Sequence, residues 1–239
     1  SWLFIALCSF TTYALSHNIG ASVVSGAVVR YRAYSSQGMP GSEIAVLIAF
    51  CSFTFILGVI ITSSIVLLLE PHILMRFNAD LTPTVSIVIA LLMLAFILLY
   101  IFGSWLQLRP LQIGKFRLEY PRLPVVTQQL IVAPLELIGA AGIIYFALPE
   151  AGNPGFLIIL GIFLVSFSAA LISHAPGGLG VLELVFLTGL PDMDQADVLA
   201  ALIVFRLLYL LIPFAISLIV VLVFEKSQFV LRWNDKQKK

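Results

Sequence analysis

Charged side chains are scarce in this sequence. Asp, Glu, Lys and Arg together make up 10% of its 239 residues and hydrophobic residues make up 61%, whereas soluble globular domains carry about 25% charged residues. Packing in water cannot explain this composition, so lipid must be the main solvent. Several apolar runs exceed ~18 residues, the length that spans a bilayer, and alternating segments of ~10 residues are not visible. We predict an all-α polytopic membrane protein.

Residues for soluble chemistry are also few. The two cysteines, Cys8 and Cys51, lie within apolar runs and are predicted to be buried packing thiols. The sequence contains no phosphate loop, dinucleotide fingerprint, GxSxG or HExxH motif, and its predicted cytoplasmic loops are too short for a catalytic domain. We therefore expect no catalytic activity, cofactor or metal in this region. A net charge of +1 gives no indication of nucleic-acid binding.

Apolar runs long enough to cross a membrane are present. Six spans are predicted, at 1–16, 44–69, 84–108, 125–148, 155–172 and 197–224. The first begins at Ser1 without Met or a signal-peptide pattern, so we expect the chain to be a truncated piece of a longer protein. Gly58, Gly139 and Gly142 are expected at close helix contacts, as small residues in membrane helices usually are.

Two shorter apolar stretches, 20–29 and 177–190, cannot span a membrane alone. At 1.5 Å per residue they cover roughly 15–21 Å of a hydrocarbon core about 30 Å thick. Arg30 ends the first stretch and Pro191 ends the second. We predict that both are half-helices or re-entrant segments.

The two short stretches are similar in sequence. Residues 16–29 read SHNIGASVVSGAVV, and residues 173–186 read SHAPGGLGVLELVF. An offset of 157 positions superposes Ser16 on Ser173, His17 on His174, Gly20 on Gly177, Val24 on Val181 and Val28 on Val185. We predict an internal repeat, about 1–69 and 155–224, connected by helices within 84–148. One transmembrane domain then covers 1–225, and a basic tail covers 226–239.

Basic residues collect in one loop and in the tail. The 109–122 loop has four Lys or Arg against one Glu, and the 226–239 tail has five Lys or Arg. The 190–197 loop has three Asp and no basic residue. By the positive-inside tendency, the 109–122 loop and the tail are predicted to be cytoplasmic.

The predicted sides of these loops and of the tail agree with one another if each short stretch makes a net crossing, which gives eight passes. Arg76 is then the one basic residue placed on the outer side against the tendency. If both stretches are re-entrant, the basic loop and the basic tail fall on opposite sides. With eight passes the repeats run in opposite directions. Inverted repeats with broken helices near the midplane are a recurring transporter architecture, and the N-termini of such half-helices favour anions.

Candidate site residues lie at the two breaks. His17, with Asn18 beside it, and His174 occupy equivalent positions, where each either caps freed backbone or handles a head group or protons. The loop into the second half-helix contains the glycines Gly177, Gly178 and Gly180. They either bring backbone N–H groups close to a ligand or form a tight turn against a neighbouring helix, and both roles can hold together.

Three charges fall at predicted membrane depth: Glu136, Glu183 and Arg206. A charge there costs ~2.5–3.5 kcal/mol on insertion scales, so it must face protein or a wet cavity. One reading is an Arg–Glu pair that joins two spans. The other gives Arg206 a lipid phosphate, and gives Glu183 and Glu136 a cationic head group.

Two arginines, Arg30 and Arg32, are predicted to end the first half-helix. One alternative is that both side chains reach the membrane interface beside Tyr31 and Tyr34. The other is that Arg30 holds a phosphate. A guanidinium group suits phosphate because it can donate two parallel hydrogen bonds to it.

Two blocks of sequence resemble a known family. YALSHNIGASVVSGAVVRYRAYSSQG (13–38) is followed by SEIAVLIAFCSFTFILG (42–58), and SHAPGGLGVLELVFL (173–187) is followed by ALIVFRLLYLLIPF (201–214). Together they resemble the membrane region of the bifunctional lysylphosphatidylglycerol flippase/synthetases, in the same order and over nearly the whole chain. A broader set of relatives shares the PGGLGV block without a synthetase.

The resemblance implies a flippase-like domain of the bacterial cytoplasmic membrane, linked to resistance against cationic antimicrobial peptides. In that family a cytoplasmic domain attaches lysine or another amino acid to phosphatidylglycerol, and the membrane domain moves the product to the outer leaflet. The implied partners are phosphatidylglycerol, its aminoacyl derivative, the bilayer, a synthetase domain of the same protein and a second copy of the chain.

Two functional hypotheses follow from the resemblance. In the first, the broken repeats form a polar path for the head group of a translocated lipid. In the second, the region is a membrane anchor that presents lipid to a lysyltransferase and transports nothing. A small-solute carrier also fits the repeat architecture, but it does not fit the family resemblance.

Overall fold

The structure, a computed structural model, describes residues 2–19, 22–107, 111–113, 116–118 and 120–237. Helices dominate it, because a helix satisfies its own backbone hydrogen bonds in lipid. In chain order they are α1 (Trp2–Ile19), α2 (Ser22–Ser35), α3 (Gly41–Leu69), α4 (Pro83–Trp105), α5 (Leu123–Ala147), α6 (Phe156–Ser173), α7 (Val181–Gly189), α8 (Gln195–Phe205) and α9 (Ile212–Gln237).

Five helical segments of the described chain are long and apolar enough to cross a membrane. They are α3, α4, α5, α6 and the continuous segment Gln195–Lys226. These segments match five of the six predicted spans, and the all-α polytopic membrane fold is confirmed. Helix α1 covers the remaining predicted span, 1–16, but it is not one of the five, so its crossing stays a prediction.

The two short stretches fold differently from each other. The first is longer than predicted, since α2 runs to Ser35. Arg30 therefore lies inside the helix rather than at its end, whereas Arg32 lies in the last turn, as predicted. No Gly or Pro stops the helix before Gly38. The second is a 3₁₀ turn, Pro176–Gly178, followed by the nine-residue helix α7. Residues 20–21, at the first predicted break, lie outside the described residues.

The last span contains an irregular turn. A π-turn at Arg206–Leu211 separates α8 from α9 within one continuous helical segment. Pro213 follows the turn and has no N–H to donate, so a carbonyl one turn earlier loses its helical partner. Helix α9 continues to Gln237, and most of the predicted 226–239 tail therefore extends the helix.

The predicted cytoplasmic loop between α4 and α5 contains a small antiparallel hairpin. Its strands are β1 (Leu111–Ile113) and β2 (Phe116–Leu118), with Gln112 opposite Arg117. The hairpin does not change the fold class, because both strands are only three residues long. Lys115 and Glu119 of this loop lie outside the described residues.

Helix α6 is the most deeply packed of the spanning segments. Half of its apolar window is buried (50%), compared with 11% to 28% for the other four. Its Phe163 ring lies 5.3 Å from the Phe167 ring and 5.7 Å from the Phe205 ring of α8, centroid to centroid. Close packing of this kind stabilises helices in lipid, where burial from water contributes little.

Small residues mark one close contact and one open face. A Cβ added to Gly58 would lie 2.6 Å from the Ala133 Cβ, so the predicted close contact of α3 with α5 is confirmed. The same prediction is wrong for Gly139 and Gly142, since nothing lies within 4 Å of an added Cβ at either position. Both glycines lie away from the buried side of α5, which carries Leu137.

Candidate functional site

The ends of α1 and α6 meet at two adjoining cavities. His17 of α1 and His174, directly after α6, line both of them. The larger cavity, about 330 Å³, lies between α1, α2, α3 and the end of α6. The smaller, about 30 Å³, lies against the Pro176–Gly178 turn. The two histidines that the sequence places 157 positions apart therefore face a shared space.

His17 is held by aromatic rings from three helical elements. Its ring centroid lies 5.9 Å from that of Tyr13, 5.5 Å from that of Phe167 and 6.1 Å from that of Tyr209. Its Nδ1 lies 2.8 Å from the Tyr13 carbonyl oxygen. A carbonyl only accepts, so Nδ1 carries the proton, and Nε2 of the neutral ring is left as an acceptor.

His174 ends α6 in a left-handed conformation. Its φ is 56°, its side chain is exposed, and its Nδ1 lies 2.9 Å from the Ile172 carbonyl oxygen. As in His17, this contact places the proton on Nδ1 and leaves Nε2 as an acceptor. This contact with a carbonyl at the end of α6 agrees with the predicted capping role, and the alternative role in handling a head group or protons stays a prediction.

The glycine-rich loop is a tight turn at one position and open at another. Gly177, Gly178 and Gly180 all have positive φ, at 60°, 65° and 79°. A Cβ on Gly178 would collide with Leu182 Cδ1, whereas an added Cβ on Gly180 meets nothing within 4 Å. Gly177 and Gly178 also line the smaller cavity. The tight turn is confirmed at Gly178, whereas the role of the loop in ligand binding stays a prediction.

Arg206 and Glu183 form a two-point ion pair. The Arg206 Nη2 donates to Glu183 Oε2 at 2.9 Å and to the Gly178 carbonyl at 3.3 Å, and Nη1 donates to Glu183 Oε1. The Gly180 N–H donates to Glu183 Oε2 at 2.9 Å. This geometry matches the predicted structural Arg–Glu pair, which here fixes α7 and its preceding turn to the π-turn.

Asn18 joins α1 to the same π-turn. Its Nδ2 donates to the Ala14 carbonyl at 2.8 Å and to the Leu210 carbonyl at 3.1 Å. Both amide hydrogens are therefore used within the protein. Asn18 is not among the described residues that line the two cavities.

Arg30 lines the larger cavity. It is only 7% exposed, and its guanidinium carbon lies 5.7 Å from the centroid of the Tyr13 ring. Where side chains are described, ion pairs join Arg32 to Glu225 and Arg206 to Glu183, and Arg30 takes part in neither. The buried Arg30 charge is thus met by an aromatic face rather than by a carboxylate.

Arg32 has a different environment from Arg30. Its Nε lies 2.6 Å from Glu225 Oε1 and its Nη2 donates to Oε2 at 2.7 Å, which links α2 to α9. The Arg32 side chain is 66% exposed and the Glu225 side chain 38% exposed. Arg32 is not among the described residues that line the two cavities.

Glu136 interacts with two tyrosines. It is half-buried on α5, and its Oε1 accepts a hydrogen bond from the Tyr209 hydroxyl at 3.3 Å. It also lies within electrostatic range of Tyr13. Glu136 is not among the described residues that line the two cavities, and of the two tyrosines only Tyr13 lines one of them.

Several cavity residues were not predicted. Tyr13, Thr12 and Ser16 line the larger cavity from α1, and Cys51 and Ser52 line it from α3. Tyr13 precedes His17 by four residues, a spacing that places both on one helix face, so this signal was present in the sequence. The predicted burial of both thiols holds for Cys8 (6% exposed), whereas Cys51 is only half-buried.

One basic residue stabilises the short helix. The Arg76 Nη1 donates to the Gly189 carbonyl at 2.9 Å and so satisfies one of the free carbonyls at the end of α7. Arg76 was the exception in the predicted charge distribution, and this bond gives it a structural role. Within the described residues, no group of three or more His, Cys, Asp or Glu is placed to hold a metal ion.

The sequence has relatives among bacterial membrane proteins. No protein-family model matches the chain. The inner membrane protein YbhN of Escherichia coli is 30% identical over 240 aligned positions, which cover 97% of this chain and 73% of YbhN. The chain belongs to the YbhN family. The uncharacterized protein slr0712 of Synechocystis is 34% identical over 208 positions, and this chain spans 63% of that protein's length.

The resemblance to lysyltransferases is narrower than the sequence blocks suggested. The phosphatidylglycerol lysyltransferase of Staphylococcus epidermidis is 35% identical over 92 residues, which cover 37% of this chain and 11% of that protein. A match over nearly the whole chain was expected, and it is found instead with YbhN. Membership of the YbhN family and the five apolar helices together make the chain a multi-pass membrane protein.

Proposed function

We propose that this member of the YbhN family moves phospholipids between the leaflets of the bacterial cytoplasmic membrane. The lipid phosphate binds at Arg30 in the larger cavity, and the lipid is phosphatidylglycerol, its aminoacylated derivative or a related phospholipid. The observation that carries the proposal is Arg30 itself. A buried guanidinium without a carboxylate partner among the described residues, at the side of a cavity of about 330 Å³, is costly unless it serves a ligand.

The cavity lining suits a phosphate joined to an apolar body. Arg30 supplies several donors in a planar arrangement that matches phosphate oxygens. Ser52, His17 and His174 line the same cavity. The remaining lining is mostly apolar, with Ile48, Phe55 and Ile56 of α3, and this part suits glycerol and acyl carbons.

The relatives support the choice of lipid. Part of the chain is similar to phosphatidylglycerol lysyltransferases, whose name gives phosphatidylglycerol as the lipid they modify. The proposed arrangement has the 109–122 loop and the C-terminal tail in the cytoplasm, as the positive-inside tendency favours. Proposed partners beyond the lipid are a lysyltransferase domain and a second copy of the chain.

A scaffold without transport activity is the second candidate. The observation that favours it is the similarity of 92 residues to a lysyltransferase, since a membrane anchor for such an enzyme needs lipid contact but no path across the bilayer. In cells that make lysyl-phosphatidylglycerol, loss of transport lowers the outer-leaflet fraction and leaves the total unchanged. Loss of a scaffold lowers the total and leaves the sidedness unchanged.

Reconstitution of Arg30 variants tests the proposal. The chain is placed in vesicles of phosphatidylcholine and phosphatidylglycerol, and movement of a fluorescent phosphatidylglycerol is followed by quenching of the outer leaflet. A hydrogen bond to a charged group is worth about 1.5–3 kcal/mol, and 1.36 kcal/mol corresponds to a tenfold rate. We therefore expect Arg30→Ala to slow the movement roughly tenfold or more.

The matched control is Arg32→Ala, two residues further along α2, where the side chain is exposed and paired with Glu225. We expect this variant to retain most of the rate. Equal rates for Arg30→Ala and the parent chain would reject Arg30 as the phosphate site. A parent chain no faster than protein-free vesicles would reject lipid translocation.

A further inference from the structure

The described lining of the larger cavity contains a positive side chain and no negative one. Among the described residues that line it, Arg30 is the one Arg or Lys, and none is Asp or Glu. Residues 19–25, whose side chains lie outside the described part of the chain, add no carboxylate, because the first acidic residue of the sequence is Glu43. The lining therefore offers a partner of opposite charge to a phosphate and none to an ammonium group.

The two carboxylates at predicted membrane depth have partners elsewhere. Glu183 binds the Arg206 guanidinium through both of its oxygens. Glu136 accepts a hydrogen bond from the Tyr209 hydroxyl at 3.3 Å. Neither carboxylate is among the described residues that line the two cavities. A cationic head group in the larger cavity would therefore lie in the same space as Arg30, without a described carboxylate in the lining.

Aromatic rings can also bind an ammonium group, and the larger cavity has one Tyr and one Phe in its described lining. The Tyr13 ring already faces a cation, since the Arg30 guanidinium carbon lies 5.7 Å from its centroid. The Phe55 ring packs against Phe167, with 5.8 Å between the centroids. These two rings do not form a cage of several aromatic faces, and a second cation beside Tyr13 would be repelled by Arg30.

Two hydroxyl groups of α1 suit an uncharged head group. The Thr12 Oγ1 donates to the Cys8 carbonyl at 2.7 Å, and the Ser16 Oγ donates to the Thr12 carbonyl at 2.6 Å. Each hydroxyl hydrogen is used within the helix, so each oxygen is left as an acceptor. Both residues line the larger cavity. The hydroxyls of a glycerol head group can donate to such oxygens without bringing a charge into the cavity.

We infer that the larger cavity selects anionic phospholipids with a hydroxylated head group, and that it disfavours lipids whose head group carries an ammonium. This selectivity rests on the proposed translocation of lipid and narrows it, since phosphatidylglycerol becomes the preferred lipid and its lysyl derivative the poorer one. Phosphatidylglycerol brings one phosphate charge, which Arg30 balances. The lysyl group adds two amino groups, which would lose their water, meet repulsion from Arg30 and find no carboxylate in the described lining.

Movement of lipids with three head groups tests the selectivity. The full chain is placed in phosphatidylcholine vesicles with a trace of phosphatidylglycerol, phosphatidylethanolamine or lysyl-phosphatidylglycerol, each labelled on an acyl chain, and movement is followed by quenching of the outer leaflet. Repulsion between two unit charges at an effective dielectric constant of about 20 supports a rate difference of roughly tenfold or more. We expect phosphatidylglycerol to move faster than lysyl-phosphatidylglycerol by this factor, with phosphatidylethanolamine between them. Equal rates overturn the inference and leave translocation standing.

A carboxylate placed in the cavity should weaken the preference. Ser52 is half-buried on α3 and lines the cavity, so Ser52→Asp should slow phosphatidylglycerol and speed lysyl-phosphatidylglycerol. The control is Ala45→Asp, which adds the same charge to α3 at an exposed position outside the described lining and should keep the parent ratio. If Ser52→Asp does not insert, Ile48→Glu replaces it, one turn earlier in the same lining. A ratio that an inserted cavity carboxylate leaves unchanged overturns the inference.

A binding measurement in detergent separates this inference from the proposed function, because it needs no lipid movement. Native mass spectrometry of the purified chain with equal amounts of phosphatidylglycerol and lysyl-phosphatidylglycerol should show more phosphatidylglycerol bound, and Arg30→Ala should remove the preference. A chain that prefers phosphatidylglycerol but moves no lipid faster than protein-free vesicles removes the proposed function and leaves the selectivity of the cavity standing. A chain that binds and moves the two lipids equally overturns the inference alone.

Discussion

At the scale of single residues, the buried charges have three different kinds of partner. Arg206 is matched by a carboxylate, Arg30 by the face of an aromatic ring, and Glu136 by a hydroxyl. The carboxylate pair has the most hydrogen bonds of the three, since Glu183 also accepts the Gly180 N–H, while the Arg206 Nε is buried without a partner among the described residues. We therefore expect Arg206 to contribute to stability, and we propose Arg30, which has no carboxylate partner among the described residues, for ligand binding.

The Arg206–Glu183 pair gives a testable prediction on stability. Removing one member of a buried pair leaves an uncompensated charge and typically costs about 3–5 kcal/mol. We expect Arg206→Ala and Glu183→Ala each to lower the free energy of unfolding, by somewhat less than this because both side chains are partly exposed (16% and 23%). The double variant should lose clearly less than the sum, as measured by denaturation with sodium dodecyl sulfate.

The exposed pair of Arg32 with Glu225 serves as the comparison for this cycle, because exposed ion pairs are usually worth only about 0–1 kcal/mol. Neither Arg32→Ala nor Glu225→Ala should change stability much. Additive losses for the Arg206 and Glu183 variants would show that the two side chains act independently.

At the scale of elements, the break between α6 and α7 depends on backbone conformation. Three glycines with positive φ turn the chain sharply, so that α7 starts directly after the turn. Nine residues of α7 cover about 13 Å, and its far end is capped by Arg76. The half-helix is therefore held at both ends by arginines from other elements, since Arg206 binds Glu183 in its first turn.

Gly178→Ala tests the tight turn. The new side chain would have φ of 65° and would collide with Leu182. Overpacking and a left-handed backbone each cost about 1–3 kcal/mol, so we expect a clear fall in stability in the same denaturation assay. Gly38→Ala is the matched control, since Gly38 also has positive φ (83°) but nothing within 4 Å of an added Cβ. Equal losses would exclude the collision as the cause.

At the scale of the whole molecule, two groups of polar residues among those described differ in their surroundings. Tyr100, Gln129 and Thr54 bond α4, α5 and α3 to one another, with distances of 2.7 Å and 2.6 Å. The histidines and Arg30 line the cavities between α1, α2, α3 and α6. The first group is hydrogen-bonded between long helices, whereas the second lines cavities.

Site-directed labelling tests the crossing of α7, which the predicted eight passes require. Single cysteines at Gln112, Asp192 and Lys238 are introduced after Cys8 and Cys51 are replaced by alanine, and each is reacted with a membrane-impermeant maleimide. We expect positions 112 and 238 to react from the cytoplasmic side and position 192 from the other side, because the basic segments stay inside. If α7 re-enters instead of crossing, positions 112 and 238 react from opposite sides.

Hydropathy was sufficient to predict the long helices, because spanning a bilayer requires length and apolar composition and little else. Partner choice was not predictable in the same way. Arg206 had Glu136 and Glu183 as possible partners, and the turn at Gly178, which places α7, decides between them. The bond from Asn18 to the Leu210 carbonyl joins residues 192 positions apart, and no local pattern indicates it.

Glycines in the spans did not predict close helix contacts reliably, because the arrangement of neighbouring helices decides these contacts too. Gly58 allows a close helix contact, whereas Gly142 lies on an open face of α5. A glycine shows only that space near the backbone is permitted, and the arrangement of neighbouring helices decides whether it is filled. Arg30 was predicted at a helix end and lies within α2, because no helix-stopping residue follows it closely.

The bond between Asn18 and Leu210 makes the rotation of the last helix depend on the position of α1. A π-turn contains one more residue than an α-turn, and one residue corresponds to about 100° of helix rotation. If α1 moved and the Leu210 carbonyl lost its donor, conversion of the π-turn to regular α-helix would turn Tyr209 away from Glu136. Sliding of α1 would thereby rotate the last helix and break the hydrogen bond between Tyr209 and Glu136.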